Sequence, residues 1–537
     1  MCILFVTYLD FSGTHQYNDA YKERIDMVKK EHKPSGNAVL RAAFVAVALL
    51  IQVGWLLLMA LVLNEYSTII SVLTWMLRVV VVLKLYSKHT NAAMKMPWIM
   101  LILVFPVMGL SLYLLLELAG DPGVGKRIRM IRERMAETTR QEESVLHQLE
   151  EQDRSVANQF RYLQNVAGCP VYTNTQVTYY PEGLAAFEAM KRDLEQAEKF
   201  IFMEYFIVED RSAFRELQQI LIRKHRQGVE VRLLYDDIGS VGYVNLAFAK
   251  RLNEEGIRCI PFNPALPVLN LFLNHRDHRK ITVIDGKVGF TGGYNLADAY
   301  FDRERPYGKW KDTGLRLEGE AVRALTATFL ELWCATTREE AAASQYLNVT
   351  HVVEAEGYVQ PFGDNPLEKE RLAKNVYMNL IARSRKSLYV ITPYLIIPDD
   401  MGSALRLAAK RGVDVRIITP GIPDKKTVYA VTRSYYTGLV SQGVRIFEYT
   451  PGFCHAKQCI CDGELAVIGT SNLDYRSLYH HFENDVLLYG CDAVTAIGED
   501  FDALFEQCRE VTQQYRKGMR GILMLWQCIL RLFAPLM

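Results

Sequence analysis

His278-Arg-Lys280 is followed five residues later by Asp285-Gly286, and His455-Ala-Lys457 stands in the same relation to Asp462-Gly463, 177 positions further on. Each H-x-K-x4-D set runs into a Gly-small-x-Asn tail, Gly292-Gly293-Tyr294-Asn295 in the first case and Gly469-Thr470-Ser471-Asn472 in the second. One such set arises by chance in only a few hundredths, roughly, of chains this long, and two with matching tails far less often. On a strand, residues two apart share a face, so each His and its Lys can address one anionic group. Lysine brings a positive charge to a phosphate oxygen, while histidine attacks phosphorus or moves a proton near neutral pH. Phosphoryl transfer between alcohols needs a nucleophile, a proton donor for the leaving oxygen and cations for the equatorial charge. His278, Lys280, Asp285, His455, Lys457 and Asp462 therefore form the candidate catalytic set. The two aspartates take a supporting role in it, because Asp-Gly between apolar runs also makes a hairpin turn. Asn295 and Asn472 are candidate phosphate donors, with simple turn chemistry as the alternative.

The elements that must carry these residues also repeat. Ala197–Tyr205 precedes a helical stretch ending at Gly228 and the apolar run Val231–Leu234; Arg385–Tyr394 precedes another ending at Gly412 and a second apolar run. Short apolar runs alternating with amphipathic stretches closed by glycine predict an α/β sheet in each half.

With its two motifs, the chain resembles the bacterial cardiolipin synthases of the phospholipase D superfamily. Tyr235-Asp-Asp-Ile-Gly-Ser240, Trp310-Lys-Asp312, Pro393-Tyr394, Gly452-Phe453 and Gly469-Thr-Ser-Asn-Leu-Asp-Tyr-Arg-Ser477 extend the likeness. The resemblance implies two phospholipase D-like α/β halves related by pseudo-twofold symmetry around one active site. It also implies a phosphatidyl-histidine intermediate, with His278 as nucleophile and His455 as general acid and then base. In this superfamily a carboxylate orients each histidine, and Glu483 and Asp312 are the residues that look like that pair.

Ahead of the halves the chain is apolar. Ala42–Leu63 is 22 residues without a charge, enough to cross a hydrocarbon core about 30 Å thick; Ser67–Leu83 is interrupted by Arg78, and Trp98–Leu116 carries Pro106 and Gly109. The first reads as a transmembrane helix. Six Lys or Arg flank the region on each side, which favours the cytoplasm for both flanks and an even number of crossings. Either Ser67–Leu83 lies at the interface, or the third segment dips in and returns. The expected division is a basic segment 1–41, a membrane region 42–116, a charged helical linker 117–165, halves 166–345 and 346–510, and an amphipathic helix 511–537 lying in the membrane interface.

Charge and thiols exclude other classes. A balance of 62 Lys+Arg against 61 Asp+Glu offers no field for gripping nucleic acid. Ten scattered cysteines read as reduced thiols. Neither Cys454, Cys459 and Cys461 around His455 nor His275 beside His278 reads as a zinc site, and the chemistry needs no metal or other cofactor. The leading expectation is a multi-pass enzyme of the cell membrane, its catalytic part cytoplasmic, that condenses two phosphatidylglycerol molecules into cardiolipin and glycerol. The same motifs fit a phospholipase D-type hydrolase or transfer to another acceptor, and a non-enzymatic membrane scaffold is the reading from a different class.

Overall fold

A computed structural model describes residues 68–105, 109–114, 123–136, 138–264, 274–339, 344–516, 530–532 and 534–536, with isolated positions between 50 and 61. The first half lays strands β1 (Thr175–Tyr180), β2 (Phe200–Tyr205), β3 (Glu230–Asp236), β4 (Arg258–Phe262), β6 (Lys280–Ile284), β7 (Val288–Gly292) and β8 (Gly314–Gly319) into one sheet, in the order β1-β8-β7-β6-β2-β3-β4. The two-residue strand β5 (Arg276–Asp277) stands outside it. The second half comprises β9 (Tyr358–Asp364), β10 (Ser387–Ile391), β11 (Asp414–Pro420), β12 (Arg445–Tyr449), β13 (Gln458–Cys461), β14 (Leu465–Gly469) and β15 (His481–Tyr489). These follow the same order, β9-β15-β14-β13-β10-β11-β12, with β16 (Cys508–Glu510) added at one edge. The predicted repeat is thus a repeat of topology, strand for strand. The first half's β5 pairs in parallel with the second half's β15.

Alternation along the buried strands splits the side chains between cores. Phe200 and Phe202 of β2 face a central core shared by both sheets, whereas Ile201 and Met203 face a core of the first half alone. On β13, Ile460 faces the central core and Cys459 and Cys461 the outer core of the second half. Two helices fill the space between the sheets, Val322–Thr337 and Asp492–Gln507, both mostly apolar on the buried side.

Three expectations about the flanking segments change. The charged stretch read as a surface helix or linker is part of the cores. Helix α1 (Val124–Met135) buries Ile128, Ile131 and Met135 in the central core, and α2 (Glu143–Gln152) and α3 (Arg154–Ala167) bury Val145, Leu149, Phe160 and Leu163 in the second half's outer core. Arg132 of α1 pairs with Glu331 on both carboxylate oxygens, at 2.9 and 3.0 Å. The polar residues that suggested a linker are only its outer side. At the C-terminus Leu530 and Ala534 lie in that same outer core and Arg531 lies over the Tyr435 ring, so these residues pack on the protein instead of extending a membrane-interface helix. Residues 517–529 lie outside the described set.

No helix among the described residues is long and apolar enough to cross a membrane. Most of Ala42–Leu63 falls outside those residues. The second apolar run is the helix Thr68–Ser87. The third does not continue as one helix: Ala92–Val104 ends, and residues 109–114 run back along it. Gly109 is so close to Ile102 that a Cβ there would meet the Ile102 Cα at 2.7 Å, and the Trp98 and Tyr113 rings stand 5.8 Å apart. A continuous helix would separate those two rings by roughly 22 Å.

Candidate active site

Each motif histidine lies just before an inner strand of its own half and reaches across to the other half. The His278 amide donates to the Phe482 carbonyl (2.9 Å), and Nδ1 donates to Glu483 Oε2 (2.8 Å) and stands 3.0 Å from Oε1. The His455 amide donates to the Lys311 carbonyl (2.7 Å), and its Nδ1 donates to Asp312 Oδ2 (2.7 Å). The same backbone-plus-carboxylate grip is made twice, with the halves exchanged. An Nδ1–H held by a carboxylate fixes the tautomer and leaves the Nε2 electron pair free for phosphorus or a proton.

The glycines of the two tails are explained by this crossing. A Cβ on Gly292 would sit 2.3 Å from the Thr313 carbonyl, one on Gly469 2.4 Å from that of Asn484, and one on Gly293 2.0 Å from Asp312 Oδ1. Only glycine lets the strands bearing the orienting carboxylates approach so closely.

Lys280 and Lys457 are fully buried beside the histidines. Lys280 Nζ donates to its own motif's His278 carbonyl (2.5 Å). Lys457 Nζ lies across the His455 ring, 2.8 Å from Nδ1 and 3.0 Å from Nε2, and also donates to the His455 carbonyl. Burial lowers Lys280 to about 7 and Lys457 to about 8, against the pull of Glu483 and Asp312. Two ammonium groups held out of water in this way favour an anion that returns the lost solvation.

The imidazole–carboxylate pairs differ electrostatically. Burial, then Lys280, drives His278 well below its ordinary value, and burial raises Glu483 well above its own, with Lys280 opposing. Burial and Lys457 lower His455 to about 4, but Asp312 pulls it back. Asp312 is pushed up by burial, yet His455 and Lys457 outweigh that and hold it below the usual carboxylate range. Both imidazoles favour the neutral form, and the His455 side differs in keeping a charged carboxylate, Asp312, that offsets part of the bias.

The other expected residues are placed apart from this centre. Asp285 and Asp462 sit in the hairpin turns at the far ends of β6 and β13, with φ of 54° and 56°. Asp285 accepts from the amides of Glu198, Lys199 and Phe200 at 2.7 to 2.8 Å, and Asp462 from those of Arg385, Lys386 and Ser387 at 2.7 to 3.1 Å. Each stands five positions beyond its motif lysine, roughly 16 Å along a strand. They hold the start of the neighbouring strand and do not join the reacting groups, so their place in the catalytic set is corrected to a structural one. Asn295 is also committed to scaffold, its Oδ1 accepting from the Ile207 amide (3.1 Å) and its Nδ2 donating to Tyr300 Oη (2.9 Å). Asn472 is buried with its Oδ1 unpartnered among the described residues.

Several contributors were given no role by the sequence. Thr470 Oγ1 donates to Glu483 Oε2 (2.5 Å) and Arg279 Nε to the Glu483 carbonyl (3.3 Å). Lys311 Nζ bridges the halves to both oxygens of Asp500 at 2.8 Å. His481 lies against His278, ring centroids 5.3 Å apart. At the matching place beside His455 stands Trp310, in an aromatic wall with Tyr300 and Phe453. His481 was legible in principle, since it lies two residues before Glu483 on the same strand.

A pair of repeated α/β halves that share one centre of two histidines and two lysines defines the phospholipase D class. A family described as "Cardiolipin synthase, PLD-like domain" matches residues 190–333 and 377–505, and the chain belongs to it. It is 35% identical over 465 residues to cardiolipin synthase 2 of Bacillus anthracis, covering 84% of this chain and 88% of that one. It is 33% identical over 497 residues to a cardiolipin synthase of Halalkalibacterium halodurans, covering 90% and 95%. An uncharacterised protein of Streptococcus mutans is 41% identical over 458 residues, covering 85% of this chain and 99% of that one. Among solved structures, a phosphatidylserine synthase of Haemophilus influenzae aligns with a TM-score of 0.51 at 16% identity, over 70% of this chain and 97% of that one; at that identity the likeness is one of fold.

Proposed function

We propose that the chain is a phosphatidyltransferase that makes cardiolipin and glycerol from two phosphatidylglycerol molecules. The observation that carries this reading is the paired grip on the histidines, each with Nδ1 held by the other half's carboxylate and a buried lysine alongside. His278 Nε2 attacks the phosphorus of the first phosphatidylglycerol, the P–O bond to glycerol breaks, and His455 gives its proton to the departing glycerol oxygen. His455 then takes the proton from a hydroxyl of the second phosphatidylglycerol, that oxygen attacks the phosphatidyl-histidine, and cardiolipin leaves with His278 restored. Lys280 and Lys457 balance the non-bridging oxygens throughout. The difference between the carboxylates supports this division of roles: Asp312 stays ionised and pulls His455 back toward its charged form, whereas burial pushes Glu483 up beside a neutral His278. Asn472, whose amide oxygen is unpartnered among the described residues, accepts from a headgroup hydroxyl in this scheme.

The lipid substrate agrees with the surface of the N-terminal helices, where Leu73, Val80, Leu83, Leu103 and Val104 are each more than half exposed. Exposed apolar side chains of that kind suit lipid. We place the enzyme at the cell membrane through residues 42–116, with the catalytic halves in the cytoplasm.

Mass spectrometry of the purified full-length protein in detergent, given phosphatidylglycerol alone, tests the activity. Cardiolipin and glycerol in equal amounts are expected, and only with His278 intact. Phosphatidic acid without cardiolipin would make the enzyme a hydrolase, and no turnover would overturn the donor assignment. A cysteine-labelling tag after residue 537 that reports the outer face would overturn the cytoplasmic placement.

A further inference from the structure

His481 has no part in the transfer described above, yet it is 5% exposed and neither ring nitrogen has a hydrogen-bond partner among the described residues. Leaving buried polar atoms unpaired is costly, which marks them as sites awaiting a partner. The partner's chemistry is set by the neighbours. His481 Nδ1 stands 3.5 Å from Glu483 Oε1, His278 Nδ1 is 2.8 Å from Glu483 Oε2, and one donor atom from each of the three residues lies within 4.8 Å of the others. Two ligands on one tetrahedral zinc ion, at bonds of about 2.0–2.1 Å, stand roughly 3.3 Å apart. Two imidazoles and a carboxylate are a known zinc donor set, with a water in the fourth position.

We propose that His278, His481 and Glu483 form a zinc site and that its occupation switches the enzyme off. A ligand nitrogen must carry a free electron pair, so zinc on His278 Nδ1 requires the ring's one proton to move from Nδ1 to Nε2, the other neutral tautomer. The electron pair that would attack phosphorus is then gone, and Glu483 is held by the metal. Metal binding and attack on phosphorus exclude each other. Among the described residues the other half offers no such site, because Trp310 takes the place that corresponds to His481. Lys280 and Lys457 oppose a cation at this point, while Glu483 and Asp312 offset them. The inhibitory consequence rests on His278 being the nucleophile; the binding does not.

The test uses full-length protein in detergent, stripped of metal, with zinc and cobalt(II) as probes. One zinc per chain is expected to bind, and His481→Asn should weaken it by at least about 100-fold. X-ray absorption at the zinc edge of the unaltered protein should read two imidazoles, oxygen and no sulfur. Cobalt(II) should give ligand-field bands without the near-ultraviolet thiolate band that buried cysteines such as Cys454 or Cys459 would produce. Sulfur ligation, no bound zinc, or binding unaffected by His481→Asn would overturn the site. Phosphatidylglycerol conversion should fall as the site fills and return with a chelator, and full turnover at saturating zinc would overturn the inhibition. Absence of cardiolipin before zinc is added would instead count against the proposed reaction and leave the binding result standing.

Discussion

The floors beneath the two histidines are built from different material. Both turn aspartates hold the first residues of a neighbouring strand, which puts Phe200 in register with Ser387; the strand pairing then matches Glu204 with Ile391 and Asp236 with Pro420. Counting from the histidines matches Arg276, Asp277 and Arg279 with Phe453, Cys454 and Ala456. The first half buries five ionisable groups where the second buries five apolar residues. Arg276 donates to both oxygens of Asp236 at 2.8 to 3.0 Å. Arg279 lies 3.6 Å from Glu204 and also donates to the Thr328 carbonyl (3.1 Å). Burial raises both Glu204 and Asp277, aided at Glu204 by the Asp277 charge and at Asp277 by the Asp236 charge, with Arg279 offsetting part of each rise. Identical catalytic atoms thus do not require identical support. The His278 segment is tethered on both sides by directional bonds, whereas the His455 segment is seated by packing, which tolerates small changes of shape.

Substitutions at matched positions test how far this asymmetry reaches. The largest effect is expected at the histidines. His278→Ala should remove the covalent intermediate and at least about 10⁴-fold of turnover, while His455→Ala should cost about 10²–10⁴-fold. Intact-protein mass spectrometry after a brief exposure to phosphatidylglycerol reads the adduct, and an adduct on His278→Ala protein would exchange the roles. Next come the orienting groups: Glu483→Gln and Asp312→Asn should each lower kcat by about 10²–10⁴-fold by admitting the wrong tautomer. Under the division of roles above, Asp312→Asn should also move the limb of the pH profile that reports the general acid, and Glu483→Gln should not.

Stability separates the two floors. Arg276→Met should cost about 3–5 kcal/mol by leaving Asp236 buried and unpaired, and Arg276→Met with Asp236→Leu should recover most of that, whereas Phe453→Leu should cost under about 1.5 kcal/mol. Denaturant titration of the detergent-solubilised protein reads all three, and equal losses for Arg276→Met and Phe453→Leu would remove the distinction. Asp285→Asn and Asp462→Asn should each cost about 1–3 kcal/mol, through weaker acceptors for three amides, with a much smaller loss of kcat per folded molecule than any histidine change. The smallest effect concerns pH. Lys280 at about 7 and Lys457 at about 8 are charged below those values and neutral above them. Raising pH from 6.5 to 9 therefore strips positive charge from the phosphate site, and KM for phosphatidylglycerol should rise several-fold while Lys280→Arg shows a shallower rise.

The fold and the clustering of the two motifs were largely legible because their signals are local. A histidine and lysine two apart, an Asp-Gly turn and a glycine-rich tail each declare themselves within about twenty residues, and their repetition announced the second half. The resemblance to a known family supplied Glu483 and Asp312, which spacing alone would not connect to histidines 205 and 143 residues away. The role of Asp285 was half legible: its turn was, but the three amides it holds come from a strand 85 to 87 residues earlier. Asp236 and Arg276 are 40 residues apart and carry no periodic signal, so their pairing was hidden. Ile128, Ile131 and Met135 did carry the spacing of a helix with one apolar side, but the arginines around them drew the reading toward a linker.

Because each histidine is completed by the other half, the order of synthesis matters. Translation delivers His278 long before Glu483, and His455 meets Asp312 only after the second half has folded against the first. A nascent or proteolytically shortened chain that ends before residue 483 carries His278 with no carboxylate to set its tautomer. An enzyme that cuts the lipids around it thus stays inert on the ribosome and in its own fragments, and becomes competent only as a finished chain.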